Sequence, residues 1–394
     1  MLTLAQSPTD PAFVQDPYPF YDRARAGGPL FIWQDYGIVC ATSAAAAGAI
    51  LRDRRFGREV PPERAAAVPP HLAPFYAVEA HSMLELEPPR HTRLRSLVLR
   101  AFTSRRIAAL APEIAHLAHQ LIDALPDGDF DLLPAFAQKI PVIVIARLLG
   151  VPEDRADDLL SWSNAMVGMY QARRTHETED RAVAATEAFV AFLRACIEEK
   201  RDRPADDLIT HLVAAESESD GLSTDELVTT CILLLNAGHE ATVHTIGNGV
   251  KALLGYRGRS AALAPDGIEA TVEEVLRFDP PLHLFTRWAY DDVEVGGHRF
   301  RRGDQVGCLL AAANRDPRAW DDPARFDPRR TPKAHLSFGA GLHFCVGAPL
   351  ARLELQVALP ILFQRLPGLR FVEPPRYADL YHFHGLARMR MARR

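Results

Sequence analysis

The stretch SFGAGLHFCVGAPLAR, Ser337 to Arg352, sets one cysteine among three glycines, immediately ahead of a segment with helical character. A cysteine that only fills a core needs no glycines beside it. A thiolate that must reach a metal does, because glycine permits positive φ and close backbone approach. The helix that follows turns its N-terminal dipole and free N–H groups toward Cys345, which favours thiolate over thiol. Pro349 is tolerated there, since first-turn N–H groups have no helical partner. His343, two residues before the cysteine, can reach an anionic group on the same ligand.

The rest of the composition narrows the class of protein. The 394 residues are 48% hydrophobic, enough for a sizeable core, and we read them as a single domain spanning 1–394. A formal net charge of −5 excludes the basic surplus of a nucleic-acid binder. The longest apolar runs, Ile140–Ala146 and Cys231–Leu235, fall far short of the roughly 18 residues that span a bilayer. The start, MLTLAQSPTDPAF, has neither the basic region nor the apolar core of a secretion signal. The five cysteines, at 40, 196, 231, 308 and 345, form no Cys-x-x-Cys pair, which fits a reducing compartment rather than a disulfide framework or a zinc site. These features predict a soluble cytoplasmic protein with no nucleic-acid or membrane partner.

Along the chain, PLFIWQDYGIVCAT (Pro29–Thr42) predicts two short strands around Asp35–Gly37. Amphipathic helical segments follow from about His91 to Leu254, broken at LPDGDF, GVPED and RDRPADD. After Pro280 the texture turns to strands, LFTRWAY and VEVGGHRF, with Gly296-Gly297 suited to a tight hairpin turn. An irregular stretch, Arg315–Pro332, leads into the cysteine loop, and a last helix is expected from Val346 to Leu366. The expected fold class is mainly α with a smaller β-rich part, without βαβ alternation.

Phe338, Gly341, Cys345 and Gly347 stand in the register Phe-x-x-Gly-x-x-x-Cys-x-Gly. This resembles the heme-binding signature of the cytochromes P450, in their soluble bacterial form. Three further stretches carry the resemblance. EEVLRFDPP supplies Glu274 and Arg277, which share a helix face at i and i+3 and resemble the pair that braces the cysteine loop. Arg325 resembles the third partner of that brace, with Arg318 an alternative. LSTDELVTTCILLLNAGHEATVHTIGNGVKALL opens with Ser223 and Glu226 in capping-box positions and predicts a helix from Thr224 to Leu254, about 45 Å long. Within it, Ala237 and Gly238 are small enough for a flat macrocycle to lie close, and Glu240 matches the family's catalytic acid. Ala241 stands where most members carry a catalytic threonine. Thr242 comes one step later, about 100° around the helix, and does not simply replace it. Lastly, His91 and Arg95 on PPRHTRLRSLVLRAF, Arg287 on LFTRWA, and His343 resemble the set that holds the heme propionates. The resemblance runs from DPYPFYDRAR to the final strands. It departs at Gly255–Gly267, where a short or irregular helix is expected.

The resemblance implies a P450 fold with a long distal helix and a proximal cysteine-ligand loop. It implies heme b (iron protoporphyrin IX) bound by Cys345, whose thiolate donates electron density to the iron and favours O–O cleavage. The implied activity is a monooxygenase that oxidises a small hydrophobic molecule with O2. Electrons would come from a ferredoxin and its reductase, for which Arg93, Arg100, Arg105 and Arg106 form a candidate docking patch. Ala241 keeps a second reading open: a heme-thiolate peroxygenase, isomerase or desaturase. A third is a non-catalytic homologue that activates a partner enzyme, against which the intact Cys345 argues. By position in the family, substrate contacts are expected from Pro61–Leu86, Met166–Tyr170, Leu235–Ala237, Leu282–Phe285 and the Tyr381–His384 turn. A monomer is expected.

Overall fold

A computed structural model describes residues 1–171, 174–216, 221–381 and 383–393, without the side chain of Ala101. The described residues form two compact units. One comprises Met1–Arg64, Ala115–Ala137 and Ala241–Arg394; the other comprises Ala65–Ile114 and Gln138–Glu240. The helix Thr224–Gly255 contributes to both. No helix among the described residues is long and apolar enough to cross a membrane.

The first unit holds the β-rich part. Its largest sheet orders the strands Leu2–Leu4, Leu30–Trp33, Ile38–Ala41, Gln305–Leu309, Leu284–Ala289 and Phe56–Gly57. The two strands expected in Pro29–Thr42 pair antiparallel, Leu30 opposite Ala41. Arg287 faces Val306 across the antiparallel pair that Leu284–Ala289 makes with Gln305–Leu309. The expected glycine hairpin forms between Val293–Val295 and His298–Phe300, with φ of 59° at Gly296 and 78° at Gly297. Both values suit a turn that needs two left-handed residues. One apolar core beneath this sheet gathers Ile50, Phe56, Phe300, Val306, Cys308 and Leu336. Gly255–Gly267 holds only the four-residue helix Arg259–Ala262, as its glycines led us to expect.

A buried polar cluster ties the chain ends of this unit to its middle. Asp279 accepts hydrogen bonds from the hydroxyls of Tyr18, at 2.7 Å, and Tyr377. His384 stacks on Tyr377 with ring centroids 3.7 Å apart, and Tyr21 bridges His283 Nδ1 (2.8 Å) to the Tyr381 hydroxyl (2.7 Å). Burial pushes His384 down to about 4 from 6.5. Burial alone would raise Asp279, but the charges of His384, Arg315 and Lys251 outweigh it and hold the carboxyl at about 2. Both groups bind fewer protons folded than unfolded, so their contribution to stability is present at neutral pH and lost on acidification. The His384 share disappears as pH falls from 6.5 toward 4, a loss on the order of 3 kcal/mol; the Asp279 share follows between 3.8 and about 2. Urea midpoints measured from pH 7 to 4.5 are expected to fall steadily, and to fall less steeply in His384→Gln.

The second unit is helical. Its helices include Arg90–Ala101, Lys139–Leu149, Ala156–Val167, His176–Asp202, Leu208–Ala215 and the first half of the central helix. Lys139–Leu149 is buried over most of its length because its sequence, KIPVIVIARLL, is apolar nearly all round. Gly150 ends it with φ of 82°, a left-handed cap that glycine adopts without strain. Asp207 then caps Leu208–Ala215 through the Thr210 N–H, at 2.8 Å, and pairs with Lys200 at 2.6 Å. The central helix starts as its sequence predicts: the Glu226 N–H donates to Ser223 Oγ at 3.2 Å, and the Ser223 N–H donates to Glu226 Oε2 at 3.0 Å. It runs Thr224–Gly255, 32 residues, or about 48 Å at ~1.5 Å per residue.

Candidate active site

Four of the five cysteines are buried and Cys345 is exposed. Burial pushes the thiols of Cys196 and Cys308 up to about 11 and about 12, and raises Cys40 and Cys231 further still. These four are inert packing. Cys345 sits two residues before Gly347, the N-cap of the 18-residue helix Ala348–Arg365. Its N–H donates to the Phe338 carbonyl at 3.0 Å, which closes the loop into a tight bend.

The glycines in that bend are required. Gly341 has φ of 70°, and a Cβ added there would lie 2.3 Å from the Leu51 carbonyl oxygen and 2.9 Å from Arg52 Cα. Neither neighbour is a side chain that could swing away. Gly339, with φ of 68°, would press a Cβ against Phe285 at 3.3 Å. Gly341→Ala is therefore expected to lose at least the 1–2 kcal/mol of a left-handed non-glycine residue. It should also show lowered heme occupancy, read from the Soret absorbance per protein.

The brace behind the loop is more extensive than its sequence signature. Arg277 is fully buried and grips Glu274 with two bonds, Nε–Oε2 at 2.7 Å and Nη2–Oε1 at 2.8 Å. Its Nη1 donates to the carbonyls of Asn314 and Pro323, both at 2.9 Å. Glu274 Oε1 also accepts from the Asp327 N–H at 2.8 Å and from Arg330 Nε at 3.2 Å. The third charged partner is thus Arg330, not Arg325 or Arg318. Arg325 offers only its carbonyl, 3.3 Å from Arg277 Nη2, while its exposed guanidinium turns to Asp327 at 3.4 Å. Arg318 makes no bond to Glu274; its N–H donates to Asp316 at 3.0 Å.

A second brace was not anticipated. Arg352, on the helix that follows Cys345, makes two bonds to Glu273 at 2.6 and 3.0 Å, and lies 4.7 Å from the centre of the Phe338 ring. His335 adds a contact to Glu273 at 3.3 Å. Burial raises the Glu273 carboxyl, but the Arg352 and His335 hydrogen bonds outweigh it and hold it at about 2. The signal available in sequence was the doubled acid, Glu273-Glu274, with a cation seven residues after the cysteine.

The remaining predicted residues divide between the units. Phe338, Cys345, His343 and Arg287 belong to the first unit; His91, Arg95, Ala237, Gly238 and Glu240 belong to the second. Ala241 and Thr242 begin the first unit's share of the central helix. His91 and Arg287 are buried, while Arg95 and His343 are half-buried. In mid-helix Ala237 is exposed and Gly238 half-buried, so this stretch presents a small, apolar surface. Ala241 is half-buried and its carbonyl accepts the Thr245 hydroxyl at 2.7 Å, whereas Thr242 is buried. The hydroxyl at 242 therefore does not take over the position left by Ala241.

A protein-family model described as Cytochrome P450 matches residues 268–368, a span that contains both Glu274–Arg277 and the Cys345 loop. The cytochrome P450 monooxygenase PikC of Streptomyces venezuelae is 39% identical over 374 residues, covering 91% of this chain and 85% of that protein. The chain belongs to the cytochrome P450 family. The vitamin D(3) 25-hydroxylase of Pseudonocardia autotrophica, another relative, is 38% identical over 391 residues, covering 96% of this chain and 94% of that one. Among solved structures, P450BioI in complex with hexadec-9Z-enoic acid ligated acyl carrier protein matches with a TM-score of 0.91 and 34% identity, over 97% of this chain and 99% of that one. The fold is accordingly the P450 fold, and the protein is a P450 monooxygenase of the bacterial type.

P450s bind heme b, and the residues present fit it. An exposed thiol at a helix start is a competent iron ligand, whereas the four buried thiols are not. In the first unit Arg287 and His343, and in the second His91 and Arg95, are donors of the kind that hold carboxylates. When bound, a cysteine-ligated heme supplies O2 activation at the iron.

The substrate-contact expectations fare unevenly. Asn236 Nδ2 reaches Met166 Sδ at 3.7 Å, which joins two of the expected segments within the second unit. Tyr381, His283 and His384 are instead buried in the polar cluster around Asp279, so they pack the first unit's interior rather than face a ligand. His382 of that turn lies outside the described residues. The basic patch is also narrower than its sequence suggested. Arg93 pairs with Glu226 and donates to the Gly221 carbonyl, and Arg106 pairs with Asp206. Arg100 and Arg105 are exposed at the surface.

Proposed function

We propose that this monooxygenase oxidises a hydrophobic molecule that itself, or through a held water, completes the distal proton path, with electrons from a ferredoxin and its reductase. The observation that carries the reading is the run Glu240–Ala241–Thr242: an acid is present, the adjoining hydroxyl is missing, and the next hydroxyl is buried. A proton leaving Glu240 then needs an acceptor that the chain does not supply at 241. The apolar segments expected along the substrate, and the vitamin and fatty-acyl molecules in the names of its relatives, support a hydrophobic substrate with few polar groups. Exposed Arg100 and Arg105 support docking of an acidic electron donor, an attraction that weakens with salt. We further propose that 1–394 acts as a single P450 domain, monomeric and cytoplasmic; the continuity of the central helix through both units supports the first of these.

The test is Ala241→Thr. Product formed per NAD(P)H consumed is expected to become less dependent on which substrate is offered, with the largest gain for substrates that lack a hydroxyl. Unchanged coupling across several substrates would sink the reading. Ala241 also favours a second one, in which peroxide replaces O2 and reductant. Turnover sustained by hydrogen peroxide alone, at the rate seen with the electron-transfer partners, would establish it.

A further inference from the structure

His239 lies next to the distal acid and is almost fully buried, with 1% of its surface exposed. Its Nδ1 is 3.1 Å from the Leu235 carbonyl, one helical turn back, and 3.4 Å from Ser163 Oγ on Ala156–Val167. Its Nε2 is 3.2 Å from Glu240 Oε2. All four residues belong to the same compact unit. A carbonyl accepts and cannot donate, so Nδ1 satisfies Leu235 only by carrying a proton. In a neutral imidazole that choice leaves Nε2 as a bare lone pair facing a carboxylate oxygen. Two acceptors at this separation repel, and burial makes the repulsion expensive. No described group makes a hydrogen bond to Nε2, so the Glu240 carboxylate is the charge available to stabilise a proton there. The opposite tautomer sets a bare Nδ1 against the nearer Leu235 carbonyl, at 3.1 Å, and offers it only the long 3.4 Å bond from the Ser163 hydroxyl. A proton on Nδ1 with a second held between Nε2 and Oε2 removes the repulsion at both ends of the ring.

We propose that His239 is a positioning residue that shares a proton with Glu240, so that the pair serves as the proton store of a distal site lacking a hydroxyl at 241. The inference rests on the reading of Glu240 as the distal acid. The proton on Nε2 moves to the Glu240 carboxylate, Glu240 passes that proton on, and the imidazole regains one from water. One proton enters for each that leaves, and no electron moves. A buried histidine that merely filled space would need no acid at its free nitrogen. An apolar residue would pack there without the desolvation penalty.

The experiment uses the whole enzyme. With 15N-labelled histidine in the ferrous carbon monoxide form, which is diamagnetic, both ring nitrogens of His239 are expected to carry protons at neutral pH, and Glu240→Gln is expected to remove the proton at Nε2. An unprotonated Nε2 in the unmodified protein overturns the inference without any variant having to fold. In turnover, His239→Leu is expected to lower product per NAD(P)H by roughly tenfold, a fraction of the ~10²–10⁴ that a positioned proton donor contributes. It is also expected to raise the solvent isotope effect. His239→Gln, whose amide can still donate to the carboxylate, is expected to restore the substrate-induced spectral shift but not the coupling. If Glu240→Gln leaves coupling unchanged, the reading of Glu240 fails. If Glu240→Gln lowers it and His239→Leu does not, the acid stands and the proton store falls.

Discussion

Arg277→Met is expected to cost about 3–5 kcal/mol of stability, the penalty for removing one partner of a buried ion pair. Glu274 would keep its position in the interior, with only the Asp327 N–H and Arg330 to stabilise its charge. The carbonyls of Asn314, which ends the helix Leu310–Asn314, and of Pro323, in the irregular stretch that leads into the cysteine loop, would lose their donor as well. Loss of heme should therefore accompany loss of stability. Urea unfolding followed by tryptophan fluorescence, with the Soret band recorded on the same samples, measures both. Arg325→Ala is the informative control. Its guanidinium is exposed and its carbonyl survives the substitution, so a change under ~1 kcal/mol is expected. Equal damage from the two variants would mean that the brace has been assigned to the wrong arginine. Arg330→Ala should fall between them, since it removes one of the bonds to Glu274.

The other large effect concerns chemistry rather than folding. Cys345→Ala is expected to abolish product formation while leaving the fold intact. The side chain is exposed and contributes nothing to the core. The loop is held by backbone and glycine geometry: the N–H of residue 345 still reaches the Phe338 carbonyl, and Gly341 still fits against Leu51. Circular dichroism should be near that of the unmodified protein, with the thermal midpoint lowered only by the heme binding that is lost. Cys308→Ser inverts the pattern. That thiol is fully buried in the apolar core under the sheet, so a hydroxyl there is expected to lower stability with the chemistry of the remaining folded enzyme unchanged. Turnover that survives Cys345→Ala would remove the sulfur from its role.

Which parts of this were legible in the sequence follows from the range of the interactions. The cysteine loop, the Glu274–Arg277 pair and the capping box at Ser223 are local. Each is written within ten residues, with spacing that a turn or a helix face dictates. The glycine hairpin at Gly296–Gly297 and the stunted helix at Arg259–Ala262 belong to the same class. Arg330 was missed because it acts from an irregular segment, where no period says which of several arginines points inward. Arg352 was missed because its partner Glu273 lies far away in sequence, and its helix, amphipathic by no clear stripe, gave no reason to single it out. The strands Leu2–Leu4, Phe56–Gly57 and Phe130–Asp131 are too short to establish an alternation. Tyr381 and His384 were misread as substrate contacts. Aromatic and histidine side chains near the chain end look like a ligand turn until Tyr18, Tyr21 and Asp279 are brought against them by the fold.

The most direct test is the absorption spectrum of the dithionite-reduced protein under carbon monoxide, recorded beside Cys345→Ala. A strongly red-shifted Soret band that disappears in the variant is the expected result, because an anionic sulfur ligand would shift it so far. An unshifted band, or the same band in both proteins, would contradict Cys345 as the working ligand and the monooxygenase reading with it.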